Sequence, residues 1–540
     1  MSEDILNVKG LSVALTAEAN GRRVVDGVDL NVSSNEIVCV VGESGSGKSV
    51  TAFSIMGILS PGLAPVAGSI RLVGEELIGA SALRLRELRG QRMAMIFQEP
   101  MTALNPVMTV GDQIAEIFRY HRPAMSAAEI RERVRALAED VRLPDPATIT
   151  QRYPHQLSGG QRQRIMIAMA LALEPALLIA DEPTTALDVT TQKRILLLIR
   201  ELVARRGIGV LFITHDFGVV AELADRVVVM QAGKVVEAGH ARDVLTNPKE
   251  PYTRSLIDAV PGSRLPAARE MPEDVLLRVE GLSKCYDAPG LFGGRRNATF
   301  ALRDASLTLR RGEILGVVGE SGSGKSTLAR CISRLQAPTS GDIWLGDINI
   351  ARMGERQLRR QRKAIQVVFQ DPNRSLNPRL RIGDALIEGA RNFGMELRQA
   401  RAKGRQLLDL VGMDERALDR FPHQFSGGQR QRICIARALA SDPDILVADE
   451  AVSALDVSIQ AQVLNLLENL RKRLGLAIIF ITHDLRVAGQ LCDRLIVMQS
   501  GKIVEQGPTA ALFDHPREAY TRELLAATPG RELLASIQKA

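Results

Sequence analysis

The stretch VVGESGSGKS, Val40–Ser49, decides how this chain is read. The apolar run Ile37–Val41 leads into it as a short buried β-strand, and Val50–Leu59 follows as a helical stretch. Gly42 to Ser49 fits the spacing GxxxxGK[ST], placed between a strand and a helix as that pattern requires. Glycines let main-chain N–H groups wrap a phosphate chain, and the N-terminus of the following helix adds positive potential. Lys48 is expected to reach the β- and γ-phosphates of ATP, and the Ser49 hydroxyl to hold Mg2+. The expected nucleotide contacts of this loop are Gly42, Ser44, Gly45, Gly47, Lys48, Ser49 and Val50.

The same ten residues return at Val317–Ser326. The second loop offers Gly319, Ser321, Gly322, Gly324, Lys325, Ser326 and Thr327 in the same roles. Working outward, FQEPMTALNP (Phe97–Pro106) returns as FQDPNRSLNP (Phe369–Pro378), and YPHQLSGGQRQR (Tyr153–Arg164) as FPHQFSGGQRQR (Phe421–Arg432). LLIADEPTTALDV (Leu177–Val189) returns as ILVADEAVSALDV (Ile445–Val457), FITHD (Phe212–Asp216) as FITHD (Phe480–Asp484), and EPYTRSL (Glu250–Leu256) as EAYTREL (Glu518–Leu524). The order is unchanged, and from the SGGQ block onward the offset holds at 268 residues, as from Ser158 to Ser426 and from Tyr252 to Tyr520. The chain is therefore one α/β unit written twice. The expected division is a first unit over 1–262, a linker over 263–275 within the Pro- and charge-rich PGSRLPAAREMPEDV, and a second unit over 276–540. Short apolar runs at Ala176–Ala180, Val210–Ile213, Ile314–Val318, Ile445–Ala448 and Ala477–Ile481 suit parallel strands covered on both faces. Between the FQ and SGGQ blocks the period becomes helical. Ser126 and Glu129 form a capping box, and Ile130, Val134, Leu137 and Val141 share one face. Each unit thus reads as a mixed-sheet α/β core with a helical subdomain.

Asp181-Glu182 and Asp449-Glu450 each close an apolar strand. In such a pair the Asp can hold Mg2+ and the Glu can orient and deprotonate the attacking water. A solvent-facing strand end is the ordinary reading of one such pair; the two phosphate loops upstream reverse it. Ser158-Gly-Gly-Gln161 and Ser426-Gly-Gly-Gln429 precede helices, and their first N–H groups offer a γ-phosphate cradle as well as ordinary capping by the serine.

Taken together, these blocks resemble the ATP-binding cassette of ABC transporters, twice, over nearly the whole chain. The resemblance implies two P-loop NTPase cassettes in tandem that pair within the chain, each ATP lying between one phosphate loop and the other half's signature, Lys48 with Ser426 and Lys325 with Ser158. It implies that Ser158, Gly160 and Gln161, and Ser426, Gly428 and Gln429, contact nucleotide. It makes Gln98 and Gln370 the Q-loop residues that sense Mg2+, beside Ser49, Ser326, Asp181 and Asp449. It makes Glu182, Glu450, His215 and His483 the catalytic set, and Asp188 and Asp456 the D-loop residues. Tyr286 resembles the aromatic that stacks on adenine, whereas the matching place in the first half is Leu15. In the second half DEPTT becomes DEAVS, with Ala451 in place of Pro183. Two competent but unequal sites are expected.

The FQ blocks and the tails NPKEPYTRSLIDAVPG and HPREAYTRELLAATPG resemble more closely the fused ATPases of bacterial dipeptide, oligopeptide and glutathione importers, in which a short C-terminal extension follows the cassette. That resemblance implies two transmembrane permease subunits as partners, an extracytoplasmic binding protein acting indirectly, and a peripheral place on the cytoplasmic face of the inner membrane. Nickel complexes and opine-like conjugates are alternative cargoes. Some relatives carry an iron–sulfur cluster on extra cysteines after such a tail. No cysteine lies between Cys39 and Cys285 or after Cys492, so no cluster is expected.

Bulk composition agrees. No segment approaches the ~18 consecutive apolar residues of a membrane span. The acidic start MSEDILNVKG does not read as a secretory signal. The five cysteines form no CxxC pattern, and Cys39 reads as a small buried hydrophobe. The net charge of +7 is scattered rather than gathered in a stripe, so no nucleic-acid partner is expected. A tandem-cassette translation or nucleic-acid factor is the alternative from another class, and its relatives join their cassettes by a long charged helical linker. An exporter motor would ordinarily be fused to membrane spans. His155 and His423, before the signatures, lack converging ligands and read as structural.

Overall fold

The computed structural model describes residues 4–16, 21–184, 187–261, 273–286, 299–453 and 455–530. Two compact units emerge, one holding Met1–Leu187 and Thr191–Val260, the other Pro261–Thr528. The expected linker lies largely outside the described residues, and its last residue, Val275, already opens the strand Val275–Tyr286.

Each unit contains a six-stranded sheet. In the first the order is Lys234–His240, Arg226–Gln231, Ile37–Val41, Gly209–Ile213, Leu177–Asp181, Met93–Ile96. In the second, read the same way, it is Lys502–Pro508, Arg494–Gln499, Ile314–Val318, Ala477–Ile481, Ile445–Asp449, Ile365–Val368. All pairings are parallel except those of the edge strands Lys234–His240 and Lys502–Pro508. The reason is visible in the composition: Ile37–Val41 and Ile314–Val318 are buried at every residue, which an antiparallel strand with one wet face would not demand. Alternate residues of one strand enter different cores. Leu446 and Ala448 pack with the helical part of the second unit, whereas Ile445 and Val447 pack with the antiparallel sheet on the other side. The phosphate-loop strand is therefore central, flanked on both edges and covered on both faces.

A four-stranded antiparallel sheet completes each unit, Arg23–Ser33, Asp4–Leu15, Leu63–Leu72 and Glu75–Glu76 in the first, Thr299–Arg310, Val275–Tyr286, Ser340–Leu345 and Ile348–Asn349 in the second. The helical insertion forms as expected. Ser126 and Glu129 make the capping box of the helix Ala127–Asp140, and Ile130, Val134, Leu137 and Val141 are all buried. The helix after the first phosphate loop runs Lys48–Met56, not Val50–Leu59. It starts directly after Gly47 (φ 101°) and stops at Gly57 (φ 64°), whose left-handed conformation ends the helical ladder. Among the described residues no helix is long and apolar enough to cross a membrane.

Candidate functional site

The loop after the strand Ile37–Val41 turns back on itself because Gly42 adopts φ 152°, and a Cβ there would lie 2.2 Å from the Met230 carbonyl oxygen. Gly319 repeats this, with φ 149° and 2.3 Å to the Met498 carbonyl. Lys48, buried, folds its side chain inward and donates from Nζ to the Gly42 and Glu43 carbonyls, both at 2.8 Å. Lys325 donates to Gly319 and Glu320 at 2.7 and 2.8 Å. Burial lowers the Lys325 pKa, against the pull of Glu450 and Asp449. Ser44, Gly45, Ser321 and Gly322 form the exposed crest of each loop, and Ser49, Val50, Ser326 and Thr327 are half-buried in the first helical turn.

At the end of the neighbouring strand, Ser49 Oγ donates to Asp181 Oδ1 at 3.2 Å, and Ser326 Oγ to Asp449 Oδ1 at 3.2 Å. Both carboxylates are buried, and burial raises their pKa values. Such a hydroxyl–carboxylate pair beside a phosphate loop has the oxygen chemistry Mg2+ accepts, since that ion takes one or two carboxylates and completes its shell with water and phosphate. Among the described residues no group of three His, Cys, Asp or Glu side chains is arranged to hold a metal by itself.

The next residue is the geometric centre. Glu182 receives Gln98 Nε2 at 3.0 Å on one carboxylate oxygen and lies 3.1 Å from His215 Nδ1 on the other. Glu450 receives Gln370 Nε2 at 2.8 Å and lies 3.5 Å from His483 Nδ1. Glutamines 84 and 80 residues away and histidines 33 residues on thus converge on one carboxylate. Both glutamates hold left-handed backbone, φ 46° and 50°, a strained conformation for a non-glycine residue that the surroundings must impose. The main-chain N–H groups of Glu182 and Glu450 donate to Ile213 and Ile481, both at 3.0 Å. The geometry is the same in both copies, although Pro183 follows the glutamate in the first and Ala451 in the second.

Burial works to raise the Glu450 carboxyl, but His483 and Lys325 outweigh it and hold it below its ordinary 4.5. For His483 burial works downward, and the Glu450 carboxylate outweighs it and lifts the imidazole above its ordinary 6.5. The carboxylate stabilises the fold above pH 4.5 and loses that effect as pH falls through its lowered value. The imidazolium stabilises it below pH 6.5 and loses the effect as pH rises through its raised value. The melting temperature of the nucleotide-free chain should therefore exceed that of His483→Gln by most between pH 4.5 and 6.5 and by progressively less above that window. A difference that grows from pH 6.5 to 9 would refute the pairing.

Ser158 and Ser426 cap the helices Gly159–Ala170 and Gly427–Leu439 in full capping boxes with Gln161 and Gln429. Gly160 and Gly428 are required for packing: a Cβ would meet Thr191 at 2.5 Å and Ile459 at 2.4 Å. Tyr286 is 40% exposed, with its hydroxyl donating to Gln336 at 2.7 Å, and Leu15 is partly buried. Asp188 accepts from Thr190 at 3.0 Å, and Asp456 precedes the helix Val457–Leu474. His155 and His423 stack on Tyr153 and Phe421 at 5.8 and 5.9 Å. Cys39 is fully buried.

One pair of contacts has no counterpart in the motif reading. The Tyr252 hydroxyl accepts the Glu43 N–H at 3.2 Å, and the Tyr520 hydroxyl the Glu320 N–H at 3.1 Å. The duplicated tyrosine in EPYTRSL and EAYTREL was the available signal, but no local pattern ties it to a loop 209 residues earlier.

Two family profiles agree with this architecture. The ABC transporter family profile matches residues 25–185 and 302–453, and that of the oligopeptide/dipeptide transporter C-terminal region matches 236–286 and 504–533. The glutathione import ATP-binding protein GsiA of Escherichia coli O6:H1 is 45% identical across 98% of this chain and 90% of its own. GsiA of Salmonella choleraesuis shows the same identity and coverage. Among solved structures, the ATP-binding cassette MJ0796, bound to ADP and Pi in a post-hydrolysis state, is 29% identical and covers 43% of this chain and 98% of its own, with a TM-score of 0.39.

Proposed function

The chain belongs to the ABC transporter family, and from that premise we propose that it powers the uptake of peptides, of the dipeptide, oligopeptide or glutathione class, through separate permease subunits. It is an ATPase of the cassette type. The observation that carries the cargo is the oligopeptide/dipeptide C-terminal region, found once after each cassette, beside 45% identity over nearly the whole chain to proteins named for glutathione import. Two transmembrane permease subunits, an extracytoplasmic binding protein and a peripheral position on the inner membrane follow from this reading, as do cassettes bounded near 262 and 276.

In each site the nucleotide phosphates take the place of the loop carbonyls on Lys48 or Lys325. Ser49 with Asp181, and Ser326 with Asp449, would hold Mg2+, with Gln98 and Gln370 as further candidates, and the chemistry it would supply is neutralisation of phosphate charge. Glu182 and Glu450 orient the attacking water and take its proton, and His215 and His483 steady the carboxylate from the other side. Both sites hydrolyse ATP, and adenine stacks better on Tyr286 than on Leu15. Binding energy released on closing around ATP, and withdrawn by hydrolysis, drives the permease.

The test is uptake of a labelled dipeptide, tripeptide and glutathione in the source cell, with the gene intact and deleted. Uptake of at least one should fall to background on deletion. Unchanged uptake of all three, in cells with no parallel peptide system, would remove peptides as cargo.

A further inference from the structure

The C-terminal extension of each cassette is fastened to its own sheet and reaches the phosphate loop. In the first unit Glu237, on the edge strand Lys234–His240, accepts the N–H groups of Lys249 and Glu250 at 2.8 and 3.2 Å. That seats the start of the helix Pro251–Asp258, whose second residue is Tyr252. In the second unit Glu505 accepts Arg517 and Glu518 at 2.9 and 3.2 Å, and seats the helix Ala519–Ala527, whose second residue is Tyr520.

The residue each tyrosine holds is the one after the first loop glycine. Glu43 donates its N–H to Tyr252, while its carbonyl receives Lys48 Nζ at 2.8 Å and the Ser46 N–H at 3.1 Å. Glu320 does the same with Tyr520, Lys325 and Ser323. One residue therefore carries the extension on one side and the phosphate-seeking lysine on the other.

We propose that Tyr252 and Tyr520 are positioning residues of the two ATP sites, holding the first turn of each phosphate loop and coupling the seating of the extension to nucleotide occupancy. This rests on the reading of both loops as ATP sites. The contact is a neutral one: burial pushes the Tyr520 hydroxyl up to about 12, so it keeps its proton at any working pH. Buried phenols seek a hydrogen-bond partner, and Tyr520 is only 9% exposed. Its partner here is the Glu320 amide of the loop at 3.1 Å, and Tyr252 repeats the contact with the Glu43 amide at 3.2 Å. Coupling is reciprocal: if a seated extension favours the nucleotide-ready loop, bound nucleotide must favour the seated extension.

The full chain carrying Tyr252→Phe and Tyr520→Phe loses two hydroxyls and keeps both rings. The Kd for a non-hydrolysable ATP analogue should weaken about threefold to tenfold, the scale of one hydrogen bond per site. The KM for ATP should rise with it, and kcat should stay within about twofold. Amide exchange in the two extension helices should slow on nucleotide binding in the parent and not in the variant. Glu237→Gln with Glu505→Gln, which loosens the seat from a distance, should move Kd in the same direction. Unchanged Kd and unchanged protection would overturn the inference. So would a loss of kcat that tracks a lowered nucleotide-free melting temperature, which marks a merely structural tyrosine. A parent chain that binds no nucleotide would instead sink the ATP-site reading itself.

Discussion

Changing Glu182 and Glu450 together to Gln is expected to lower ATP hydrolysis at least about a hundredfold while ATP binding stays within a few-fold of the parent, since a positioned general base contributes on the order of 100- to 10,000-fold. Gln keeps the size of Glu and an oxygen for the donated bonds of Gln98 and Gln370. What it loses is the capacity to take a proton and the charge that faces each histidine. The single variants separate the halves. Glu450→Gln alone should leave a measurable remainder from the first site, because Glu182 retains its own Gln98 and His215 contacts. Turnover by Glu450→Gln equal to the parent would mean that the second site, where Ala451 stands in place of Pro183, contributes no hydrolysis. Turnover by the double variant equal to the parent would remove both carboxylates from the chemistry.

How much of this was legible in the sequence depends on how local each feature is. The central strands are continuous apolar runs, and Ala477–Ile481 forms over its expected residues. Leu177–Asp181 lies one residue further on than the apolar run suggested, because its register carries Asp181 into the sheet opposite Ile213. The first loop helix stops early because Gly57 adopts a left-handed cap, which a run of apolar residues around it does not announce. The capping box Ser126–Glu129 was plain because it is a four-residue pattern.

The site divides along the same line. Phosphate loops are contiguous and carry their own signature. The convergence of Gln98 and His215 on Glu182 is not local, and only the resemblance of the whole ordered set to a known cassette brought those residues together beforehand. The left-handed backbone at Glu182 and Glu450 had no signal at all, since glutamate is not a residue that favours it. Each of these residues bonds its N–H across the sheet, to the carbonyls of Ile213 and Ile481, contacts distant in sequence. The tyrosine contacts belong to the same class, because hydrogen bonds spanning 209 and 200 residues leave no periodicity to read.

Lys48→Ala with Lys325→Ala should weaken ATP binding by about tenfold to a hundredfold per site, because hydrogen bonds to a charged partner contribute about 1.5–3 kcal/mol. The two ammonium groups are buried beside main-chain carbonyls of their own loops, at 2.7 to 2.8 Å. Their removal has two opposing effects on the empty protein: it relieves the burial that lowers the Lys325 pKa, and it leaves the Gly42 and Gly319 carbonyls short of a donor. The melting temperature without nucleotide should therefore move little. With nucleotide the difference should be large. Saturation at 100 times Kd stabilises the parent by about 2.7 kcal/mol per site, and at the same ATP concentration a hundredfold weaker site gains only about 0.4 kcal/mol. Thermal unfolding with and without ATP, divalent ions withheld to prevent turnover, reads this directly. A nucleotide-induced shift in the double variant equal to that of the parent would show that Lys48 and Lys325 are structural clasps of their own loops, and would return the phosphate site to the main-chain N–H groups alone.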